Sequence, residues 1–119
     1  MTRYAYLGPS GTFTEAALKT VATSGDELIP FSNVTAALDA VRTGNTDRAL
    51  VPIENSVEGV VARTLDELAI GKPLVIYGET TLAVTFALMV RTGIDKKSIK
   101  RIATHPHAES QCREYIAKH

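Results

Sequence analysis

A single cysteine, Cys112, stands in this chain, which excludes an intrachain disulfide and any cysteine-rich metal site. An excess of charge of either sign is also missing: 13 basic residues balance 13 acidic ones. Such a chain lacks the electrostatic footprint of a nucleic-acid or polyanion binder. Its one basic cluster, Lys96, Lys97, Lys100 and Arg101, reads as a solvated helix face before it reads as a phosphate site. No stretch approaches the roughly 20 apolar residues that span a bilayer, so no membrane partner is expected. The opening, MTRYAYLGPSG, has no basic region leading into an apolar core, so a secretory signal is not expected and a cytoplasmic setting is. Internal repeats, low-complexity tracts and long linkers are absent as well. What remains is ordinary globular material of 119 residues, 45% apolar and 22% charged. That suffices for one small domain, or for one lobe of a two-lobed protein plus part of a second.

Strand-like and helix-like stretches alternate up to Ile70. Arg3–Leu7 predicts a strand stopped by Gly8-Pro9. Residues 12–22 predict a helix, with Thr12 and Glu15 in capping-box spacing and Ala16, Ala17 and Val21 along one face. Residues 27–30 form a second expected strand. Ser32 or Asn33 then caps a helix with the stripe Val34, Ala37, Leu38 and Val41, ended by Gly44-Asn45. Residues 49–52 predict a third strand, and residues 60–70 a third helix with Val61, Leu65, Leu68 and Ala69 on one face and Gly71 as its stop. Three strand–helix units imply an α/β fold, a mostly parallel open sheet with flanking helices.

The next segment departs from that pattern. Residues 74–77 and 82–90 read as apolar strands with only Gly78-Glu79-Thr80-Thr81 between them, too little for a crossover helix. The chain either turns in a hairpin or passes from one lobe into another, and the second is the expectation. A short helix at 95–99, a strand at 101–104 and a helix at 106–118 follow, the last with Pro106 at its first position and Ala108, Gln111 or Cys112, Tyr115 and Ile116 as its stripe. The expected division is therefore a first lobe at 1–76, then crossover strands and a partial second lobe at 77–119. The second part holds too few elements to close a core alone, which predicts a truncated chain or one completed by a partner. Exposed strand edges in such a chain predict self-association into a homo-oligomer.

Three segments could carry chemistry. In Gly8-Pro9-Ser10-Gly11-Thr12-Phe13-Thr14 a strand ends, glycines turn the chain and a helix opens with free N–H groups, which favours an anion. The spacing is neither the dinucleotide fingerprint nor a P-loop, and an ordinary capped turn explains it as well. Pro52-Ile53-Glu54-Asn55-Ser56-Val57-Glu58-Gly59 follows the third strand, where open α/β sheets bind ligands, and offers an acid, an amide and a hydroxyl. A solvated turn is the plain alternative. Thr104-His105-Pro106-His107-Ala108-Glu109-Ser110-Gln111-Cys112 repeats the strand-to-helix geometry of the first. Its His105, His107 and Glu109 are a weak metal set, and nothing in the spacing pairs Cys112 with a base. Two loops of one kind facing a cleft describe a receptor for a small anion.

These loops are also where the sequence resembles a known family. Tyr6-Leu7-Gly8-Pro9-Ser10-Gly11-Thr12-Phe13-Thr14-Glu15-Ala16-Ala17 is similar to the opening of the prephenate dehydratases. Val51-Pro52-Ile53-Glu54-Asn55-Ser56, followed by Gly59-Val60 and Thr64-Leu65-Asp66, resembles their most characteristic stretch, and His105-Pro106 with Gln111-Cys112 their second-lobe motif. The resemblance implies a two-lobed fold like that of the type 2 periplasmic binding proteins, with crossing strands between lobes. It also implies conversion of prephenate to phenylpyruvate, water and carbon dioxide in phenylalanine biosynthesis, with no cofactor and no metal. Glu54, Asn55, Thr104 and Gln111 are the catalytic side chains it implies, with Ser10, Gly11, Thr12, Phe13, Ser56 and His105 as substrate contacts.

Departures accompany the likeness. Thr104 stands where serine is common, and His107 where glutamine is usual. The family's catalytic threonine lies in a Thr-Arg-Phe motif that does not occur here, since Thr2-Arg3 is followed by Tyr4. The remainder of the second lobe and the phenylalanine-binding regulatory domain are likewise expected to be missing, so these 119 residues alone are expected to turn over little or no prephenate. Arogenate as substrate, or a non-catalytic module that binds a small carboxylate, are the alternative readings.

Overall fold

Tyr4, Ala5 and Tyr6 alternate sides along β1 (Arg3–Leu7), the central strand of a three-stranded parallel sheet of order β2-β1-β3. The computed structural model describes residues 1–119, which group into two compact units, Met1–Ala83 and Val84–His119. In the first unit β2 (Glu27–Phe31) and β3 (Arg48–Leu50) flank β1, with Tyr6 opposite Pro30 on one side and Leu50 on the other. A central parallel strand is covered on both faces, so both of its faces must be apolar. Tyr4 and Tyr6 pack with Leu18 of α1 (Phe13–Lys19), joined by Ala22, Leu28 and Leu50. Ala5, on the other face, packs with Ala37 and Ala40 of α2 (Val34–Arg42), joined by Phe31, Ala49 and Val51. Small side chains thus face α2, and two tyrosines face α1. The expected α/β architecture is therefore present.

Helix starts follow the predicted caps. The side chains of Thr12 and Asn33 accept hydrogen bonds from the N–H groups of Glu15 and Ala36, satisfying donors that a helix start leaves unpaired. Two buried faces differ from expectation. Helix α1 stops at Lys19 and turns Glu15 and Leu18 inward, not Ala16, Ala17 and Val21. Its end is set by Thr20, whose hydroxyl donates to the Ala17 carbonyl at 2.7 Å, and by the N–H groups of Val21 and Ala22, which both bond to Leu18.

Helix α3 (Ala62–Ile70) buries Thr64, while Leu65 and Ala69 of the predicted apolar stripe lie exposed. Polar groups hold it instead. Arg42 of α2 pairs with Glu67 at 2.7 Å and with Asp39 at 2.8 Å, and it also donates to the carbonyls of Glu67 and Lys72. The Thr35 hydroxyl donates to the other Glu67 oxygen at 2.6 Å. Gly71 ends the helix with φ −66°, not in a left-handed cap. A glycine suits this position because a Cβ would lie 2.5 Å from the backbone carbonyl oxygen of Glu67, which cannot swing aside.

The segments 74–77, 82–90 and 101–104, expected as strands, form none. A strand exists only through its ladder, and β1 already has a neighbour on each side while none of these segments pairs with β2 or β3. Val75 and Met89 accordingly stand almost fully exposed. In the second unit local signals persist. Asp95 caps a 3-10 turn at Lys96–Ser98, accepting from the Lys97 N–H at 3.0 Å. The expected helix at 106–118 is two, α4 (Pro106–Gln111) and α5 (Arg113–Lys118), because Cys112 leaves helical geometry at φ −106°, ψ 10°. Its N–H is shared between the carbonyls of Ala108 and Glu109. Ala108, Gln111, Cys112 and Ile116 of the expected stripe are half-buried, and Tyr115 is exposed, stacking on His119 at 4.3 Å.

Candidate functional site

The end of β1 is shaped by a close approach. The Gly8 N–H donates to the Phe31 carbonyl at 2.8 Å, extending the β1–β2 ladder by a step. A Cβ on Gly8 would sit 2.8 Å from Cβ of Pro30, so only glycine fits. The Gly8–Pro9 peptide is cis and Gly11 has φ +89°. Beyond them the Ser10 hydroxyl donates to Oε2 of Glu15 at 3.0 Å, and the Gly11 N–H donates to the same oxygen. Oε1 of Glu15 takes Nζ of Lys19 at 2.8 Å. The Gly11 N–H first, and then Lys19, hold the Glu15 carboxyl well below its ordinary value, at about 2. Thr12 is occupied too, donating to the Leu7 carbonyl at 3.2 Å while it caps α1. Phe13 is half exposed.

Of the donors expected to face a ligand at this turn, the Ser10 hydroxyl and the Gly11 N–H are thus engaged by Glu15. The signal for this was present in the sequence as the capping-box glutamate. In this chain the box is displaced by one residue: the carboxylate reaches past Thr12 to Gly11 and Ser10. Beside the turn lies a surface hollow of about 430 Å³ lined by Gly8, Pro9, Ser10, Pro30, Phe31 and Ser32. It sits at the carboxyl ends of β1 and β2, the position open α/β sheets use for ligands. Sequence reasoning did not select Pro30, Phe31 or Ser32. The strand-end rule, extended to β2, points to them.

At the end of β3 the chain makes a small antiparallel hairpin, β4 (Glu54–Asn55) with β5 (Gly59–Val60). Asn55 builds its turn: Oδ1 accepts from the N–H groups of Val57 and Glu58 at 2.9 and 3.1 Å. Gly59 supplies a left-handed φ of +84°. The base of the hairpin is fastened to α3, since the buried Thr64 hydroxyl donates to the Pro52 carbonyl at 2.7 Å and the Val61 N–H to the Ile53 carbonyl at 2.9 Å. With Oδ1 committed, the NH₂ of Asn55 is the group it offers to a ligand. Glu54 and Ser56 are exposed on the same hairpin. Because β3 neighbours β1 in parallel, this hairpin and the 8–12 turn leave the same end of the sheet from adjacent strands. Glu54 and Asn55 do not line the hollow, which is built from the β1 and β2 ends.

The second unit holds the remaining candidates. His105 caps α4, its Nδ1 accepting from the His107 N–H at 3.1 Å. A neutral His105 therefore carries its proton on Nε2 and presents it as a donor. The His107 ring meets that of His105 edge-on, with centroids 4.8 Å apart. Thr104 is exposed and Gln111 half-buried.

The family model described as prephenate dehydratase matches residues 4–119. The chain belongs to the prephenate dehydratase family. It is 46% identical to the prephenate dehydratase of Mycobacterium marinum, covering 100% of this chain and 41% of that protein. Against the prephenate dehydratase of Amycolatopsis methanolica it is 48% identical, covering 98% of this chain and 38% of the relative. Among solved structures, the prephenate dehydratase of Arthrobacter aurescens in complex with L-Phe superposes with a TM-score of 0.83 at 49% identity, over 98% of this chain and 39% of that one. The chain thus shares the periplasmic-binding-protein-like α/β fold of that dehydratase and spans about two-fifths of its relatives' length. The stretches that resemble the prephenate dehydratases, residues 6–17 and 51–56, are those shaped here into the Glu15-held turn and the Asn55 hairpin. No helix is long and apolar enough to cross a membrane.

Proposed function

We propose that this chain forms the N-terminal part of a cytoplasmic prephenate dehydratase acting in phenylalanine biosynthesis. The observation that carries the reading is the match of residues 4–119 to the prephenate dehydratase family. Prephenate bears two carboxylates and a hydroxyl on a ring that becomes aromatic as carbon dioxide leaves. The pair of electrons from the broken carbon–carbon bond enters the ring, and the hydroxyl departs with an added proton as water. A site for this reaction needs fixed donors toward the acid groups and a proton source near the departing oxygen. The NH₂ of Asn55, held by the hairpin, is such a fixed donor. His105 contributes Nε2–H, Thr104 a hydroxyl and Gln111 an amide, while Glu54 brings an acidic group. Ser56, Thr12 and Phe13 complete the proposed contacts. Ser10 and Gly11 belong to the site as walls, their donors being held by Glu15.

The reading is tested by following phenylpyruvate absorbance with prephenate as substrate. The 119-residue chain alone is expected to show little or no turnover, because no Thr-Arg-Phe motif occurs in it. Rates matching those of the longer relatives would contradict that assignment of the catalytic threonine. In a longer protein that contains this chain and the motif, Asn55→Ala is expected to lower kcat/KM by about a hundredfold, as loss of one preorganised donor does. An unchanged kcat/KM would remove Asn55 from the site. Self-association through unpaired segments is expected as well, and sedimentation showing only monomer at high concentration would oppose it.

A further inference from the structure

We infer that Glu15 is a positioning residue: its carboxylate is the anion seated at the turn between β1 and α1, and through Ser10 and the neighbouring Gly11 N–H it fixes the Ser10 wall of the hollow at the ends of β1 and β2, which receives an uncharged ring face and not an acid group. The inference deepens the dehydratase reading and rests on it for the identity of the ring.

Glu15 is only 8% exposed. Both of its oxygens are in use, one by Ser10 and Gly11 and the other by Lys19. Ser10 has one hydroxyl proton and Gly11 one N–H, and Glu15 takes both. An incoming carboxylate would find the Ser10 and Gly11 donors already engaged and would meet a like charge. Displacing Glu15 would leave a largely buried carboxylate short of partners, a costly state. Lys19 is the cation facing it from its own helix, and Tyr6 of β1 is the other titratable group interacting with that lysine.

The rest of the hollow has a different character. Pro9, Pro30 and Phe31 give it apolar walls. The Ser32 hydroxyl, which accepts from Nδ2 of Asn33 at 3.3 Å, keeps its proton to donate. Apolar walls with one hydroxyl proton left to donate, that of Ser32, suit the face of a hydroxyl-bearing carbon ring. The two acid groups of such a molecule must then be met by other donors, such as the NH₂ of Asn55.

The test uses amide NMR spectra of the 119-residue chain. Glu15→Ala is expected to move the Gly11 amide upfield and to speed its hydrogen exchange by roughly tenfold or more, as loss of a charge-assisted hydrogen bond does, while the amides of residues 4–7 stay in place. Glu15→Gln, which keeps an acceptor of the same reach without the charge, is expected to give a smaller shift in the same direction and serves if the alanine variant does not fold. A Gly11 amide unmoved in both variants overturns the role of Glu15. Titration of the unaltered chain with prephenate is expected to shift the Gly8, Phe31 and Ser32 amides and to spare Gly11. Shifts at Gly11 with none at Phe31 and Ser32 overturn the subsite. No shift anywhere counts against prephenate as the ligand, while the variant spectra still decide what Glu15 does.

Discussion

Residues 1–83 and 84–119 carry similar signals, apolar runs, capping residues and helix-opening prolines or threonines, yet they reach different degrees of burial. Every buried side chain lies between Tyr4 and Thr64, and none lies in the second unit. The features that persist in the second unit are those a few neighbouring residues can complete. Asp95 and His105 cap their turns through contacts two residues long. What does not form, there and at 74–77, is what needs a distant partner: a strand at 82–90 or 101–104 requires a ladder, and its apolar face requires a layer to cover it. Capping is local chemistry, whereas sheet order is collective.

Substitutions sharpen this contrast. The largest effect is expected for Leu18→Ala, because Leu18 is fully buried against Tyr4 and Tyr6. It should cost about 2–5 kcal/mol in urea unfolding. Tyr115→Ala in the second unit, where the ring is 44% exposed, should change stability by less than about 0.5 kcal/mol. Equal losses at the two positions would erase the contrast. Next comes Glu67→Gln, which leaves Arg42 without its closest acid although Asp39 remains. It should lower the urea midpoint by less than Leu18→Ala does and loosen α3 from α2. Asn33→Ala removes the cap of α2 and should cost about 1 kcal/mol, a loss visible in the sheet region because α2 covers β1.

The smallest expected effect is one of pH. Asp47, held by Arg3, and Glu15, held by Gly11 and Lys19, have their carboxyls lowered to about 2 from ordinary values of 3.8 and 4.5. The unfolded chain therefore takes up these protons at higher pH than the folded one. Their stabilisation is complete above the ordinary values and fades as pH falls toward 2. Tyrosine circular dichroism from the buried Tyr4 and Tyr6 should show a lower urea midpoint at pH 3 than at pH 6. A midpoint that rises on acidification would contradict both carboxyl assignments.

Much of the first unit was legible in the sequence because its signals were local and mutually consistent. Gly8-Pro9 stopped β1, Thr12 and Asn33 started helices, Gly44 followed the end of α2, and three strand–helix units implied a parallel sheet. Helix faces were harder. Alanine-rich α1 has little contrast between its sides, so the face was decided by Leu18 meeting the tyrosines. Helix α3 was decided by the Arg42–Glu67 pairing, which no apolar periodicity announces. At the candidate site, the residue types at 10–12 and 54–56 were visible, but their hydrogen-bonding state was not. Glu15 sits five residues beyond Ser10 and claims its hydroxyl, and Asn55 spends its oxygen on its own turn. The Pro30–Ser32 side of the hollow stayed hidden because it becomes a neighbour of Gly8 only through strand pairing. Apolar runs at 74–77, 82–90 and 101–104 read as strands for the same reason in reverse: periodicity reports a preference, and pairing decides.

Residue-resolved amide hydrogen exchange on dilute, monomeric chain tests the central contrast most directly. Slow exchange is predicted along Arg3–Leu7, Glu27–Phe31 and Val34–Arg42, with fast exchange through 74–77, 82–90 and 101–104. Protection at 82–90 equal to that of β1 in the monomer would contradict the account, because it would mean that this segment has a ladder partner within these 119 residues.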